Sequence, residues 1–191
     1  MPMVENLALR PTDIFWGEIT PTEHLVQFYP DEQVFLDTLE SFVVAGIAAG
    51  ESVIIIATPL HLQPLTARLI ERGIDVASAT ANDQLLRLDA AEILSQFMVN
   101  GWPDEDSFRR VVATILHRAK SRGQRVRAFG EMVALLWAQG NNVATVRLEH
   151  LWHGLCREES FSLFCAYPKC GFTQDASTSI KEICDTHSRI V

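Results

Sequence analysis

Glu131 is the residue of this chain whose setting most favours chemistry. It follows a short apolar run, Val126 to Gly130, and precedes an apolar segment that contains Trp137. In α/β proteins small ligands bind beyond the ends of buried strands, because the strand ends line the crevice of the sheet. A carboxylate there could hold a small ligand or serve an atypical nucleotide hydrolase. Helix N-termini also favour glutamate, so an ordinary cap or surface position remains the alternative for Glu131.

The ends of the other predicted strands bring further side chains to the same crevice. His61 is more typical of a solvated helix residue than of a base, and Asp89 is also a plausible helix N-cap. Trp137 lies close in sequence to Glu131 and would report on ligand binding. The candidate ligand-binding residues are Tyr29, Asp31, Thr58, His61, Asp89, Glu131, Met132, Trp137, Tyr167 and Lys169.

The chain lacks a phosphate loop where a nucleotide-binding protein would carry one. The first strand-to-helix turn reads Tyr29-Pro30-Asp31-Glu32, which offers no glycine or lysine and places two carboxylates where a triphosphate would bind. Gly46 and Gly50 have the wrong spacing and precede a strand instead of a helix. No GxSxG, HExxH, CxxC or GxGxxG motif occurs either. We therefore expect no cofactor and no enzymatic activity, with a nucleotide hydrolase or a phosphotransfer protein as the less favoured alternative.

The cysteines are close in sequence but do not form a recognisable metal motif. All four fall in the last 36 positions, at spacings that do not match a zinc module. The weak candidates for metal ligands are Cys170, Cys184 and His187, and no metal is expected. Cys165 falls in a predicted buried strand, where cysteine acts as a small hydrophobe. Cys170 beside Lys169 is an alternative thiol switch, because a nearby cation favours the thiolate.

Strands and helices alternate along the chain, and this alternation predicts the fold that positions the candidate residues. The stretch from His24 to Ala57 has the pattern of strand, helix and strand, with Asp31 as the helix N-cap. We expect a connection over residues 74–83, a short helix over 90–99 and a turn at Gly101-Trp102-Pro103. Further helices are predicted at about 59–72, 104–122, 142–157 and 177–186, and strands at 84–88, 125–130 and 161–167. The pattern is typical of the α/β class, with a mostly parallel sheet and helices on both faces.

Composition limits the classes of protein to which the chain can belong. With 24 acidic and 16 basic side chains the formal net charge is −8, which opposes direct binding to nucleic acid or to an anionic membrane. No signal peptide or membrane helix is recognisable, so we expect a soluble, cytoplasmic protein. The 191 residues suit one domain, 23–191, after an N-terminal arm, 1–22. The apolar residues around Ile14-Phe15-Trp16 would pack on the domain or contact another subunit.

Several stretches resemble, in the same order, the methanogen/methylotroph sensory domain (MEDS). They are HLVQFYPDEQVFLDTLESFVVAGIAAGESVIIIATP, RVRAFGEMVALLWAQGN, FSLFCAYP and ICDTHSRIV, and they span nearly all of the chain after residue 22. The resemblance implies a degenerate RecA/KaiC-like three-layer sandwich without its phosphate loop. It also implies a sensor of small molecules, hydrocarbon derivatives among them, in bacterial signalling. Glu131, in the Gly-Glu-Met stretch, and Tyr29, in the first strand, would then line the pocket.

The resemblance further implies how a signal would leave the domain. Members are often fused to a histidine kinase or a helix-turn-helix, whereas here about 22 residues precede the domain and none follows it. We therefore expect a non-enzymatic sensory or regulatory domain that binds a small ligand and acts in trans on a histidine kinase or a transcription regulator. A homodimer is compatible with this expectation. A protein-binding regulatory module without a small ligand is the alternative.

Overall fold

A six-stranded parallel sheet runs through the computed structural model, which describes residues 16–171 and 176–191. The strand order is β3-β2-β6-β7-β1-β8, and a separate antiparallel hairpin joins β4 to β5. The strands are β1 His24–Tyr29, β2 Ser52–Ala57, β3 Leu85–Asp89, β4 Met98–Val99, β5 Trp102–Pro103, β6 Val126–Gly130, β7 Ser162–Pro168 and β8 Arg189–Ile190. The predicted α/β class with a parallel sheet is confirmed.

Helices cover both faces of this sheet. The α-helices are α1 Glu32–Ala48, α2 Pro59–Glu71, α3 Val76–Ala81, α4 Ala90–Ser95, α5 Glu105–Lys120, α6 Met132–Ala138, α7 Asn142–Glu159 and α8 Ser177–Thr186. Short 3-10 turns lie at Trp16–Glu18 and Lys169–Gly171. None of the helices in the described ranges is long and apolar enough to cross a membrane.

The central strands are buried on both sides because their side chains alternate between two hydrophobic cores. In β2, Val53 and Ile55 join the core beneath α1, α2 and α3, whereas Ile54 and Ile56 join the core beneath α4 to α8. All six residues of β2 are buried, as expected for a β-branched strand between two helical layers. The sheet therefore separates the molecule into two helical faces, and a strand residue reaches only one of them.

Helix α1 begins as its sequence predicts and approaches the sheet closely. The carboxylate of the N-cap, Asp31, accepts a hydrogen bond from the amide of Val34 at 3.0 Å. A Cβ atom at Gly46 would lie 2.7 Å from atoms of both Arg127 and Val53. Glycine is therefore required where this helix crosses β2 and β6.

Three local predictions were wrong, namely the connection over 74–83, the helix over 90–99 and the turn at 101–103. Residues 76–81 form helix α3 instead of a connection, because Asp75 caps it through the amide of Ser78 at 2.9 Å and its small apolar side chains face the core. The helix predicted for 90–99 ends at Ser95, and Met98–Val99 pairs with Trp102–Pro103. The turn of that hairpin is Asn100-Gly101, with φ angles of 50° and 77°. Asn-Gly is the dipeptide that two-residue hairpins favour.

The segment before β1 packs on the domain. The ring of Trp16 meets those of Phe42 and Phe164 at centroid distances of 5.2 and 5.4 Å, and Ile19 is also buried. Ile14 and Phe15, which were grouped with Trp16 in the sequence, lie outside the described residues. Within the predicted arm, the part from Trp16 onward thus contributes to the core beneath α1.

Candidate functional site

The carboxyl ends of β1, β2 and β6 all lie at the same end of the parallel sheet, and Glu131 directly follows β6 there. Its amide donates to the carbonyl of Ile56 at 2.8 Å, which continues the β6–β2 pairing by one residue. Its carboxylate accepts hydrogen bonds from the amide of Thr58 at 2.7 Å and from the Thr58 hydroxyl at 3.1 Å. The Glu131 side chain is 9% exposed. Glu131 is therefore a buried carboxylate held by neighbouring strands.

His61 connects this carboxylate to a second one. It lies in the first turn of α2, three residues after Thr58, and its Nδ1 lies 2.8 Å from Oε1 of Glu131. Its Nε2 lies 2.7 Å from Oε2 of Glu32, the first residue of α1. The Glu32 side chain is 65% exposed, whereas that of His61 is 11% exposed. We call Glu32, Thr58, His61 and Glu131 the strand-end network.

The strand-end network contains more acidic than basic side chains. Burial opposes protonation of His61, but hydrogen bonds and charge from Glu131 and Glu32 outweigh it and raise the pKa of the imidazole. With two carboxylates and one imidazole, the network has a net negative charge even when the ring is doubly protonated and donates to both carboxylates. Tyr29 stacks on Phe35 nearby, and burial together with Glu32 and Glu131 raises the pKa of its hydroxyl. The neutral phenol remains a hydrogen-bond donor.

A second polar cluster is fully buried on the opposite face of the sheet. It consists of His24 at the start of β1, Glu149 in α7, Cys165 in β7, and His187 between α8 and β8, and we call it the His-Glu-Cys cluster. One ligand atom from each of these side chains lies within 4.8 Å of all the others. The hydroxyl of Tyr167 donates a short hydrogen bond to Oε1 of Glu149.

Burial and charge set the protonation of this cluster. Burial disfavours an ionised Glu149, but the two histidines and Tyr167 outweigh it and hold the pKa of Glu149 at about 2. Burial lowers the pKa of His187 to about 4, which makes its imidazole neutral at neutral pH. Burial, with Glu149 beside it, raises the pKa of the Cys165 thiol well above its usual value. The cluster thus combines a carboxylate with neutral imidazole and thiol groups.

The amino-acid sequence matches the profile of a described protein family over most of the length of the chain. The profile of the MEthanogen/methylotroph, DcmR Sensory domain matches residues 23–188. The chain belongs to the MEDS family. No curated protein matches it significantly.

Among solved structures, this MEDS domain is similar to a KaiC-like protein from the hyperthermophilic archaeon Pyrococcus horikoshii. The TM-score is 0.55 at 12% sequence identity, over 80% of this chain and 65% of that one. The MEDS domain therefore spans slightly less than two thirds of its neighbour. At this identity the similarity concerns the fold, and it confirms the RecA/KaiC-like architecture.

The MEDS domain brings only some of the predicted site residues together. Thr58, His61 and Glu131 bond directly, Tyr29 lies beside them, and Asp31 caps the helix that carries Glu32. His61 is buried and bridging instead of solvated. From the sequence, Glu32 is expected only to repel phosphate. Its position directly after the N-cap of α1 was the signal that it could face the strand ends.

The other predicted ligand-binding residues lie elsewhere in the MEDS domain. Met132, Trp137 and Tyr167 are buried in the core beneath α4 to α8, on the other face of the sheet. Asp89 is the N-cap of α4, where it accepts from the amides of Ala91 and Glu92 at 2.8 and 3.1 Å. Lys169 is exposed in the 3-10 turn after β7.

The weak metal candidates of the sequence are separated by the fold. His187 belongs to the His-Glu-Cys cluster, whereas Cys170 is exposed and Cys184 is partly buried outside it. Sequence spacing could not identify the other three members, because Cys165 and His24 are brought together only by the pairing of β1 with β7. Glu149 joins them from the buried face of α7.

Proposed function

We propose that this MEDS domain is a non-enzymatic sensory or regulatory module that binds a small ligand at the strand-end network. Membership of the family supports the sensory role. The position of the network supports the site, because open α/β sheets bind ligands beyond the carboxyl ends of their strands. The output would be received in trans by a signalling protein such as a histidine kinase or a transcription regulator.

The proposal rests on two carboxylates that share one imidazole beyond the carboxyl ends of β1, β2 and β6. Oxygens of Glu32 and Glu131 lie 2.7 and 2.8 Å from the two ring nitrogens of His61. A net negative charge attracts cations and hydrogen-bond donors and repels phosphate. The ligand chemistry that fits is therefore a small neutral donor or a small cation, such as an alcohol or an alkylammonium ion.

The network also supplies a route from binding to a conformational response. Glu32 belongs to α1 and His61 to α2, so their contact joins two helices on one face of the sheet. A ligand that bonds to the exposed carboxylate of Glu32 competes with His61 for it. A ligand shifts a conformational equilibrium only if it binds one state more tightly than the other. Release of His61 from Glu32 would distinguish the two states.

Thermal-shift and tryptophan-fluorescence titrations test this proposal. The probes are methanol and methylammonium, with ATP as the phosphate-bearing comparison. We expect methanol or methylammonium to raise the midpoint of unfolding in a saturable way, and ATP to have no effect. Glu32→Gln should weaken the apparent affinity about tenfold, which corresponds to about 1.4 kcal/mol. The exposed Glu71→Gln in α2 is the matched control and should bind as the parent does. A response to ATP alone, or none to any probe, would contradict the proposal.

We also propose that the chain does not hydrolyse nucleotides. A triphosphate at the first strand-to-helix turn would meet Asp31 and Glu32, and Pro30 has no amide hydrogen to offer it. The pair of Glu131 and His61 resembles a general base, but its carboxylate is already bonded to Thr58. Incubation with ATP and magnesium should release no phosphate above the buffer rate. Phosphate release that disappears in Glu131→Gln would reverse this conclusion.

A further inference from the structure

The His-Glu-Cys cluster gathers four potential metal ligands from four separate elements. Oε2 of Glu149 lies 3.3 Å from Nε2 of His24, 3.4 Å from Nε2 of His187 and 3.6 Å from Sγ of Cys165. Nε2 of His24 lies 3.5 Å from the same sulfur. The side chains of the two histidines and of Glu149 are 0% exposed, and Cys165 is fully buried.

These separations are those of a tetrahedral coordination shell. In a zinc site the metal lies about 2.0–2.1 Å from nitrogen, about 2.0–2.2 Å from carboxylate oxygen and about 2.3 Å from sulfur, so neighbouring tetrahedral ligand atoms are about 3.3–3.6 Å apart. Four of the six pairs in the cluster have separations in that range. The remaining two pairs both involve His187 and are within 4.8 Å. The rings of His24 and His187 stack with their centroids 3.9 Å apart, so the ring of His187 would move away from that of His24 to complete the shell.

Hydrogen bonds around the cluster orient the lone pairs of His187 and Glu149 inward. Nδ1 of His187 lies 2.5 Å from the carbonyl of Ile183 and must donate to it, which leaves the lone pair on Nε2. That Nε2 is buried and has no hydrogen-bond partner among the residues that the structure describes, although it faces Oε2 of Glu149. Tyr167 donates to the other oxygen, Oε1. Such outer contacts, from a histidine to a backbone carbonyl and from a donor to the ligating carboxylate, accompany protein metal sites.

We propose that His24, Glu149, Cys165 and His187 bind a zinc ion. Zn²⁺ with one carboxylate, one thiolate and two neutral imidazoles has no net charge, which suits a site without solvent. The Cys165 thiol gives its proton to solvent as the zinc–sulfur bond forms, and no electron is transferred. Four protein ligands leave no open position, which is the arrangement of a structural zinc site and not of a catalytic one.

The ion would attach the end of the chain to the sheet. His187 directly precedes β8, the edge strand that pairs with β1. The amide of Ser188 donates to the carbonyl of His24 at 2.7 Å, and that of Val191 donates to Val26 at 2.8 Å. Coordination of one zinc ion by both His187 and His24 would reinforce the pairing of β8 with β1, which is short because β8 has only two residues.

Cobalt substitution of the full-length chain tests the site with an optical signal. The metal is removed with a chelator, Co²⁺ is added, and the spectrum is recorded. We expect one cobalt ion per chain, the d–d bands of a tetrahedral ion and a thiolate-to-cobalt charge-transfer band, all of which zinc then displaces. Cys165→Ser should abolish the charge-transfer band, whereas the exposed Cys170→Ser should retain it. Cobalt that binds without tetrahedral bands, or a band that Cys170→Ser removes, would overturn the proposal.

A second measurement remains informative if Cys165→Ser fails to fold. The unsubstituted chain should contain about one zinc ion by elemental analysis after expression with zinc, and the chelator should speed amide exchange at Arg189 and Ile190. His187→Gln should lose the zinc, whereas the exposed His150→Gln on α7 should keep it. A zinc-free chain whose amide exchange is unchanged by chelator or zinc would overturn the proposal. None of these readouts depends on the ligand of the strand-end network.

Discussion

Among single residues, His61 is central to the strand-end network because it contacts both of its carboxylates. Both of its ring nitrogens face carboxylate oxygens within 2.8 Å, and its side chain is 11% exposed. Its partners come from α1 and from the end of β6, which are far apart in sequence. A histidine in the first turn of a helix gives no sequence signal of such a bridge. The expectation that His61 is a solvated helix residue was wrong for that reason.

The pKa of His61 gives the fold a pH dependence of known sign. Because the folded state raises this pKa, protonated His61 stabilises the fold below the unfolded value of about 6.5, and the stabilisation is lost as the pH rises through the folded pKa. The difference in unfolding free energy between the parent and His61→Gln should therefore shrink as the pH rises from below 6.5 toward alkaline values. Urea unfolding at several pH values measures it. The exposed His117→Gln is the control, and a difference that grows with pH would contradict the assignment.

At the scale of elements, the close approach of α1 to the sheet positions Glu32. The N-cap at Asp31 fixes where the helix begins, and Gly46 lets its far end cross Arg127 and Val53. Displacement of this helix would move Glu32 relative to His61. The geometry of the network thus depends on packing a full helix length away.

A comparison of two helical glycines tests this packing. Gly46→Ala places a Cβ atom 2.7 Å from Arg127 and Val53, and overpacking of this kind costs about 1–3 kcal/mol. Gly154→Ala in α7 meets no atom of the described residues within 4 Å and should stabilise the chain by about 0.5–1 kcal/mol, because alanine favours the helix. Chemical denaturation of both variants measures the two effects. Equal effects of the same sign would contradict the proposed contact.

Elements with strong local signals were predictable from sequence, and contacts between distant elements were not. Strand β2 ends at the predicted residue, Ala57, and helix α8 has the predicted bounds, since a β-branched run and an amphipathic decapeptide are local patterns. Helix α3 was missed because its six residues are too few to show a period. Glu131 was identified as the end of a buried strand. The His-Glu-Cys cluster was not, because its members meet only through strand order and helix packing.

In the molecule as a whole, the buried ion pair of Arg127 and Glu51 connects several segments that pack beneath α1. The guanidinium of Arg127 in β6 forms a short hydrogen bond to Glu51 and donates to the carbonyls of Phe42 at 3.0 Å and Trp16 at 3.3 Å. It also lies over the ring of Phe42, 5.2 Å from its centroid. One side chain therefore links β6, α1, the start of β2 and the segment before β1.

Removal of one partner of the Arg127–Glu51 ion pair should lower the unfolding free energy more than removal of both partners. Arg127→Met leaves buried Glu51 with only the half-exposed Arg125, 3.7 Å away, and loss of one partner of a buried pair costs about 3–5 kcal/mol. The double variant Arg127→Met with Glu51→Leu should recover part of that loss, because no charge is then stranded. Unfolding free energies of the single and double variants give the coupling. A double variant less stable than Arg127→Met would contradict this account.

The two polar centres lie on opposite faces of the same sheet, so they can be tested separately. The strand-end network contacts the core beneath α1 and α2, and the His-Glu-Cys cluster contacts the core beneath α7 and α8. A ligand would act through the first and zinc through the second. We expect Glu32→Gln to change ligand binding without changing metal content.

Nuclear magnetic resonance of His61 during ligand titration tests whether a small ligand binds at the strand-end network. Methanol and methylammonium are added in turn to the ¹⁵N-labelled chain, and the imidazole nitrogen resonances of His61 are followed. We expect a saturable shift of the Nε2 resonance, because a ligand replaces His61 as the partner of Glu32, and no such shift in folded Glu32→Gln. Unchanged His61 resonances with both probes, or the same shift in Glu32→Gln, would contradict it.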